Sequence, residues 1–458
     1  MEITMTEHTA DLVVVGSGPA GMAAASEAVS LGLSVSVLDE QLEIGGQIYR
    51  RVEKAPRNLL GILGPDYSAG KRLADEFRKS GSNYIGGATV WNVTTEGVVD
   101  YVADGHAAQV AGRYVLLASG AMERPFPIEG WTLPGVMSAG AGQIMLKGAG
   151  ALPKDPVVMA GCGPLLYLLA WQYIRAGAQI AAVVDTTPRG AYWQALRRTT
   201  GALAGWRDLA KGLKLLSAIR RAGVRVYSAA SSLKVEGSTR AEGLSFEVRG
   251  STKTIPASLV LLHQGVVPNT QLSWSTGSEH TWDKEQLCWR PVTDDAGRVG
   301  NTNLYVAGDC RGIVGANASA VQGRLAALSI AGNLGSSVER RREEALKAEL
   351  RKFTAIRPFL DTLYRPQDEN RIPPDHVVVC RCEEVSAGQI RKYVELGCLG
   401  PNQTKAFGRC GMGPCQGRLC GLTVTEVISE ARTVEPSEVG YYRVRSPIKP
   451  ILLGNFSD

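Results

Sequence analysis

Short, almost unbroken apolar runs alternate with segments whose apolar residues recur at helical spacing, and this rhythm occupies most of the chain. Asp11-Leu12-Val13-Val14-Val15 is a run of the kind that makes a parallel strand buried on both faces. It passes through a glycine-rich turn into an Ala-rich helical stretch, Met22 to Leu31, and then into a second apolar run, Ser34 to Leu38. The same order returns with Val157 to Ala160, a helix reaching about Ala176, and Gln179 to Val184. Strand–helix–strand units of this kind predict an α/β chain with two doubly wound domains. Past residue 335 the pattern changes. Val338 to Lys352 reads as a charged, solvated connector helix. Ser386 looks like an N-cap for a helix Ala387 to Leu396, and Thr423 to about Ala431 reads as the last helix.

Composition narrows the class. With 458 residues the chain exceeds what one core supports, so several domains are expected. The net charge of +6 is spread along the chain, and no Lys/Arg block carries interleaved aromatics, which argues against nucleic acid as a partner. Arg197-Arg198 and Arg220-Arg221 read as solvated helical faces, with an acidic partner protein as the minority reading. No apolar run reaches the roughly 18–20 residues of a membrane span. The N-terminal Met1 to His8 does not resemble a signal peptide. Nine cysteines, odd in number and mostly clustered, do not form a secreted disulfide framework, so a reducing, cytoplasmic setting is expected.

Chemistry enters at the turns. Gly16-Ser17-Gly18-Pro19-Ala20-Gly21 stands between a strand and a helix, the setting that a dinucleotide-binding G-x-G-x-x-G loop requires. Its glycines allow the tight turn, the approach of a pyrophosphate to the helix N-terminus, and close helix–strand packing. Asp39 at the end of the second run would accept the adenosine ribose hydroxyl, with Glu40 as runner-up. The second loop, Gly161-Cys162-Gly163-Pro164-Leu165-Leu166, departs at its third glycine position. Leu166 there pushes helix from strand and obstructs a pyrophosphate. Asp185 could still hold a ribose, so an adenine nucleotide at Gly161, Gly163 and Asp185 stays open, whether as a vestigial, non-redox site or as a working NADH site. No Arg follows at once to take a 2′-phosphate, which argues against NADPH.

Four cysteines form two close pairs, Cys380-Arg381-Cys382 and Cys410-Gly411-Met412-Gly413-Pro414-Cys415, separated by 27 residues. Soft thiolates in that arrangement select zinc or an iron–sulfur cluster. Glycines 411, 413 and 417 would bring backbone N–H groups to the sulfurs, which tunes a cluster. A redox dinucleotide on the first loop would favour iron–sulfur, since a one-electron carrier would then stand beside a two-electron one. Cys415 and Cys420 repeat the spacing, so Cys420 could replace one ligand, although the two nearest pairs are preferred. Cys162, Cys288 and Cys310 make no C-x-x-C and read as unreactive. His263 reads as packed rather than basic. The stretch 189–222, with Tyr192, Trp193 and Trp206, reads either as an interaction surface or lid or as ordinary helical packing.

Several segments resemble known flavoproteins. Gly45-Gly46-Gln47 resembles the loop under the flavin in two-dinucleotide-domain reductases of the glutathione- and thioredoxin-reductase type. Val115 to Ala121 resembles their second nucleotide contact, and Leu304 to Asp309 their G-D motif. The resemblance implies FAD held by Gly16, Gly18, Pro19, Ala20, Gly21, Asp39, Glu40, Gly46, Gln47, Val90, Ala118, Ser119, Gly120, Gly308, Asp309 and Ala316. The helix opening at Gly315-Ala316 would favour an anionic reduced flavin. The cysteine segment resembles the bacterioferritin-associated-ferredoxin-like [2Fe–2S] domain, which implies ligation by Cys380, Cys382, Cys410 and Cys415. Expected boundaries are 1–152 and 291–335 for the FAD domain, 153–290 for the inserted domain, 336–375 for the connector, and 376–458 for the cysteine domain and tail.

Essentially the whole chain resembles the α (A) subunits of heteromeric amino-acid and opine dehydrogenases. That group includes octopine and nopaline oxidases, D-hydroxyproline dehydrogenase, the B subunit of hydrogen cyanide synthase and, more distantly, sarcosine oxidase α. It implies an electron-transfer subunit serving a β subunit with its own FAD that oxidises the amine. An FMN can lie between the two, and a small ferredoxin-like γ subunit is often present. Two other readings compete: a stand-alone NADH-dependent reductase of a ferredoxin-type partner, and a non-enzymatic nucleotide-binding scaffold.

Overall fold

A computed structural model describes residues 7–198, 201 and 205–456. The N-terminal lead, residues 1–6, and part of the 189–222 stretch lie outside the described residues.

The first sheet is built around the strand His106–Leu117. Its C-terminal half lies between the parallel strands Glu7–Val15 and Leu304–Val306, and Val35–Asp39 and Asn83–Gly86 extend the sheet outward. Its N-terminal half pairs antiparallel with Val98–Ala103, which pairs in turn with Thr89–Val93. Leu12, Val13, Val14, Leu116 and Leu117 are buried, as continuous apolar runs in an interior parallel sheet require. The helices Pro19–Ser30 and Ala316–Asn333 cover one face. They touch through glycine: a Cβ on Gly323 would stand 2.1 Å from the Ala20 carbonyl oxygen.

The second sheet is parallel, in the order 225–228, 180–185, 157–162, 259–264, 136–138. Val136–Ser138 belongs to it, so the insertion begins well before the expected residue 153. The Pro153–Pro156 stretch is therefore a turn inside the second domain. The chain crosses between domains on the antiparallel pair Ala121–Glu123 and Val266–Pro268, which ends the insertion before 290. A three-stranded antiparallel sheet, 231–256, flanks the second domain.

The connector is less solvated than its composition suggests. On the helix Arg340–Thr354, Leu346 is buried against Val321, Leu325 and Leu328. Arg342 grips the buried Glu27 with two hydrogen bonds of 2.6 Å, and Arg324 approaches the same carboxylate at 3.5 Å. The cysteine unit has two helices between its ligand pairs, Ala387–Glu395 and Pro401–Gly408, where one was expected. Ser386 caps the first through a full capping box. The segment after Tyr442 leaves the cysteine unit and packs on the FAD-type domain. Val444 and Ile448 join the core of Val13 and Val15, and the Ile448 N–H donates to the Trp91 carbonyl at 3.0 Å.

Candidate functional sites: two nucleotide loops and a thiol cluster

At the first loop the sequence pattern and the geometry agree. Gly16 has φ +106°, and a Cβ there would lie 2.5 Å from the Ala118 carbonyl. A Cβ on Gly21 would stand 1.8 Å from the Gly16 carbonyl, so the helix can sit on the strand only with glycine in that position. Pro19 opens that helix at its first position, followed by Ala20. Asp39 is turned toward the loop by the Ser17 N–H (2.6 Å) and hydroxyl (2.8 Å) and by the Gln41 N–H (2.8 Å). Glu40 is ion-paired with Lys449 of the C-terminal tail, so of the two acids only Asp39 is bonded to the loop. Val90 lies on Thr89–Val93, beside the strand that ends in Asp39.

The remaining predicted contacts converge on the same cleft. The Gly45 N–H donates to the Ser17 carbonyl at 2.9 Å, and a Cβ on Gly46 would be 2.9 Å from the Cα of Gly18. Gln47 follows, and its carbonyl accepts from the buried Lys147 ammonium at 3.2 Å. Burial, with Arg50 nearby, brings Lys147 down to about 7. Ala118 donates to the Val15 carbonyl at 2.8 Å, and the Ser119 hydroxyl donates to the Asn269 carbonyl at 2.9 Å. The Gly308 N–H donates to Gln322 Oε1 at 2.9 Å, and Asp309 Oδ1 accepts from the N–H groups of Val314 and Gly315 just before the helix that Ala316 begins. A Cβ on Gly18, Gly120 or Gly315 would meet nothing within 4 Å. These glycines thus line open space along the predicted path of an extended dinucleotide, and the residues present fit FAD.

The second loop is closed. Gly161 and Gly163 keep positive φ, and a Cβ on Gly161 would strike the His263 carbonyl at 1.6 Å as one on Gly16 strikes Ala118; what differs is the His263 ring, which stands over Gly163 where Gly18 faces open space. His263 is packed as expected, its Nδ1 2.8 Å from Glu123 Oε2. Leu166 is fully buried in the helix–sheet core. Asp185 is 1% exposed, and its carboxylate accepts from the Thr187 N–H at 2.8 Å. Burial raises its pKa, because the carboxylate is cut off from water. Tyr364 of the connector covers the loop, accepting from the Cys162 thiol on its carbonyl at 3.5 Å. Burial pushes the Cys162 and Cys288 thiols up to about 12, and Cys310 upward as well, in accord with unreactive cysteines.

The cysteine unit gathers five sulfurs where four were expected. Cys380, Cys410 and Cys420 lie within 4.8 Å of one another, with Cys420 at the start of the helix Gly421–Arg432. Cys415 reaches both Cys420 and Cys382, which is the exposed edge of the group. Neighbouring thiols of Cys410 and Cys420, then the N–H groups of Gly411 and Glu383, hold Cys380 far below the ordinary thiol value. The Cys415 N–H points at Cys382, and those of Leu419 and Gly417 at Cys415. A Cβ on Gly413 would lie 2.2 Å from that of Cys382, so glycine is what lets the two loops close on each other. Cys410 is backed by the Tyr442 hydroxyl at 3.4 Å. Cys398 stands apart, bonded to the Gly400 carbonyl. All nine cysteines are free. An all-thiol set with N–H donors aimed at sulfur fits a soft metal centre. Sequence spacing leaves Cys420 as an alternate, because Cys410-x₄-Cys415 and Cys415-x₄-Cys420 are identical in form.

Comparison with known proteins extends this geometry. The model of the pyridine nucleotide-disulphide oxidoreductase family matches residues 10–333. The A subunit of opine oxidase from Rhizobium meliloti is 45% identical over 98% of this chain and 87% of its own. The protein of that name from Agrobacterium tumefaciens (strain Ach5) is 46% identical over 98% and 91%. Among solved structures, L-proline dehydrogenase from P. horikoshii superposes with a TM-score of 0.72 at 19% identity, covering 100% of this chain and 81% of that one. The fold is thus shared along the whole length.

Proposed function

Because the chain belongs to the pyridine nucleotide-disulphide oxidoreductase family and, within it, to the line of the opine oxidase A subunits, we propose that it is the electron-transfer chain of a multi-subunit FAD-dependent amine dehydrogenase of the opine or D-hydroxyproline/proline type. The observation that carries this reading is the combination of one open dinucleotide cleft, one closed one, and a thiol centre. A reductase fed by NADH needs the second cleft; a chain fed by a partner's flavin does not.

FAD, which the fold implies, supplies the exchange between two-electron and one-electron steps. The chain's own residues supply placement. The first glycine loop and its helix N-terminus receive pyrophosphate, Asp39 the ribose, and Asp309 the ribityl side, while the Gly315 turn sets the last helix toward the ring. We assign the thiol centre as [2Fe–2S] with Cys380, Cys382, Cys415 and Cys420 as ligands. Around a single zinc with bonds of about 2.3 Å, four sulfurs would all lie within about 4 Å of each other. Here only Cys380, Cys410 and Cys420 lie within 4.8 Å of one another, while Cys382 and Cys415 fall outside that trio, a spread suited to two metal ions. Cys410 shares the compact trio with Cys380 and Cys420, and we assign it as a supporting thiol because the Tyr442 hydroxyl already donates to its sulfur at 3.4 Å.

Amine oxidation itself is assigned to a β subunit carrying its own FAD. FMN at the interface and a ferredoxin-like γ subunit complete the set, in a cytoplasmic complex. Trp193, Leu196, Trp206 and Leu213 are more than half exposed on the helices 189–196 and 206–221, an apolar surface of the kind that subunit contacts bury. No helix among the described residues is long and apolar enough to cross a membrane.

An anaerobic absorbance titration of the cofactor-loaded chain tests the reading. Stoichiometric NADH is expected to leave the flavin band intact while dithionite bleaches it and develops a reduced-cluster signal. Rapid bleaching by NADH would make the chain a reductase, and a purified chain without iron and flavin would leave only a scaffold.

A further inference from the structure

The cysteine unit and the FAD-type domain meet across packed aromatic rings. Tyr441 lies against the thiol group with its ring: a Cβ on Gly421, the residue after Cys420, would stand 2.6 Å from the Tyr441 Cζ and 2.8 Å from its Cε2. On its other side the Tyr441 ring stacks on Trp274, with centroids 5.4 Å apart and planes 16° from parallel. Trp274 belongs to the short helix Gln271–Ser275, and its backbone N–H donates to the Thr270 carbonyl at 2.8 Å. One residue earlier, the Asn269 N–H donates to the Gly120 carbonyl at 3.0 Å, and the Asn269 carbonyl accepts from Ser119, both on the predicted flavin contact. Contacts therefore run without a break from the cluster ligands through two rings to the flavin strand. The adjoining cavity is about 20 Å³, room for little more than one water, so the junction is dense.

The junction is built of rings: Trp274 also stacks on His280 with centroids 3.7 Å apart, and Gln271 Nε2 donates to the Tyr441 hydroxyl at 3.3 Å. The indole N–H groups of Trp274 and its edge-on neighbour Trp289 are buried without a hydrogen-bond partner.

We propose that Tyr441 and Trp274 are the bridge by which electrons cross between the flavin and the cysteine centre. The proposal rests on the cofactor assignment above. One electron at a time leaves the reduced flavin for the oxidised [2Fe–2S] centre. No bond forms or breaks, and the flavin's proton is released on the flavin side. The second electron follows after an external one-electron acceptor protein has reoxidised the centre. Tunnelling falls off more slowly through bonded and stacked matter than across gaps, so an unbroken contact chain carries the traffic.

The test uses the full, cofactor-loaded chain, with iron and flavin content and the midpoint potentials of both centres measured first. The flavin is then photoreduced, and the rise of the reduced-cluster signal is followed by absorbance and freeze-quench EPR. Trp274→Leu and Tyr441→Leu are expected to slow that rise by about tenfold or more, because contact between fixed groups is lost. Content and potentials should hold, and Tyr441→Phe, which keeps the ring, should match the parent. Leucine variants with intact cofactors and an unchanged rate would overturn the bridge. If the leucine variants lose a cofactor, the unaltered protein decides. Enhanced spin relaxation of the partly reduced flavin by the reduced cluster supports close coupling through this junction, and its absence overturns it. A parent chain without iron or without flavin would instead overturn the cofactor assignment.

Discussion

Cys420 shows what a single side chain contributes at this site. It lies within 4.8 Å of Cys380 and Cys410, and Cys410 in addition accepts from the Tyr442 hydroxyl. Replacing Cys420 with Ala should lower bound iron by about tenfold or more, since losing even a supporting contact to a ligand weakens metal sites 10- to 100-fold. Cys410→Ala should keep the iron and the EPR signal of the reduced protein. Iron analysis and EPR of the two variants check the assignment, and the reverse pattern would restore Cys410 as ligand. Asp39 is legible in the sequence because loop, helix and strand are contiguous there. Its neighbour Glu40 is not separable from it on that basis, because Lys449, more than four hundred positions away, is what occupies Glu40.

At the scale of elements, the strands and helices of both nucleotide units appear close to where the apolar runs place them, since burial on both faces leaves little other choice. The connector helix is the exception. Its run of charges reads as solvated, yet Arg342 closes on Glu27, which is 1% exposed on the helix behind the first glycine loop. Breaking a buried ion pair leaves an uncompensated charge, but Arg324 stays near and Arg342 is itself half exposed. Arg342→Ala is therefore expected to cost about 2 kcal/mol, below the usual 3–5 for a fully buried pair. Thermal unfolding followed by circular dichroism measures it, and an unchanged midpoint would return this helix to the role of a solvated linker. The helix Pro401–Gly408 is not legible in the sequence because Gly400 and Gly408 frame a short, mostly polar segment. Its position is set by Tyr393 and Tyr442 packing around it rather than by any periodicity.

Over the whole molecule, the tail ties the two ends of the function together. Tyr442 is fully buried against Gly411 and Gly417, where a Cβ would stand 2.5 and 2.7 Å from its ring. Past it, Val444 and Ile448 enter the first domain's core. Ending the chain after Gly440 should abolish iron binding while flavin is retained, because the thiol unit loses its core but the first glycine loop does not. Ending it after Pro450 should spare both. Flavin absorbance and iron content report each case, and full iron in the shorter chain would show that the tail is dispensable. The α/β class, the first nucleotide loop with Asp39, the obstructed third glycine position and the cysteine-rich end are all determined by sequence alone, because each depends on neighbours a few residues apart. Which sulfurs lie close together, that Asp185 is buried beneath the loop that Tyr364 covers, and that aromatic rings join the thiol group to the first domain were decided only by tertiary structure. Each of these turns on contacts between residues far apart in the chain, which periodicity and spacing do not encode.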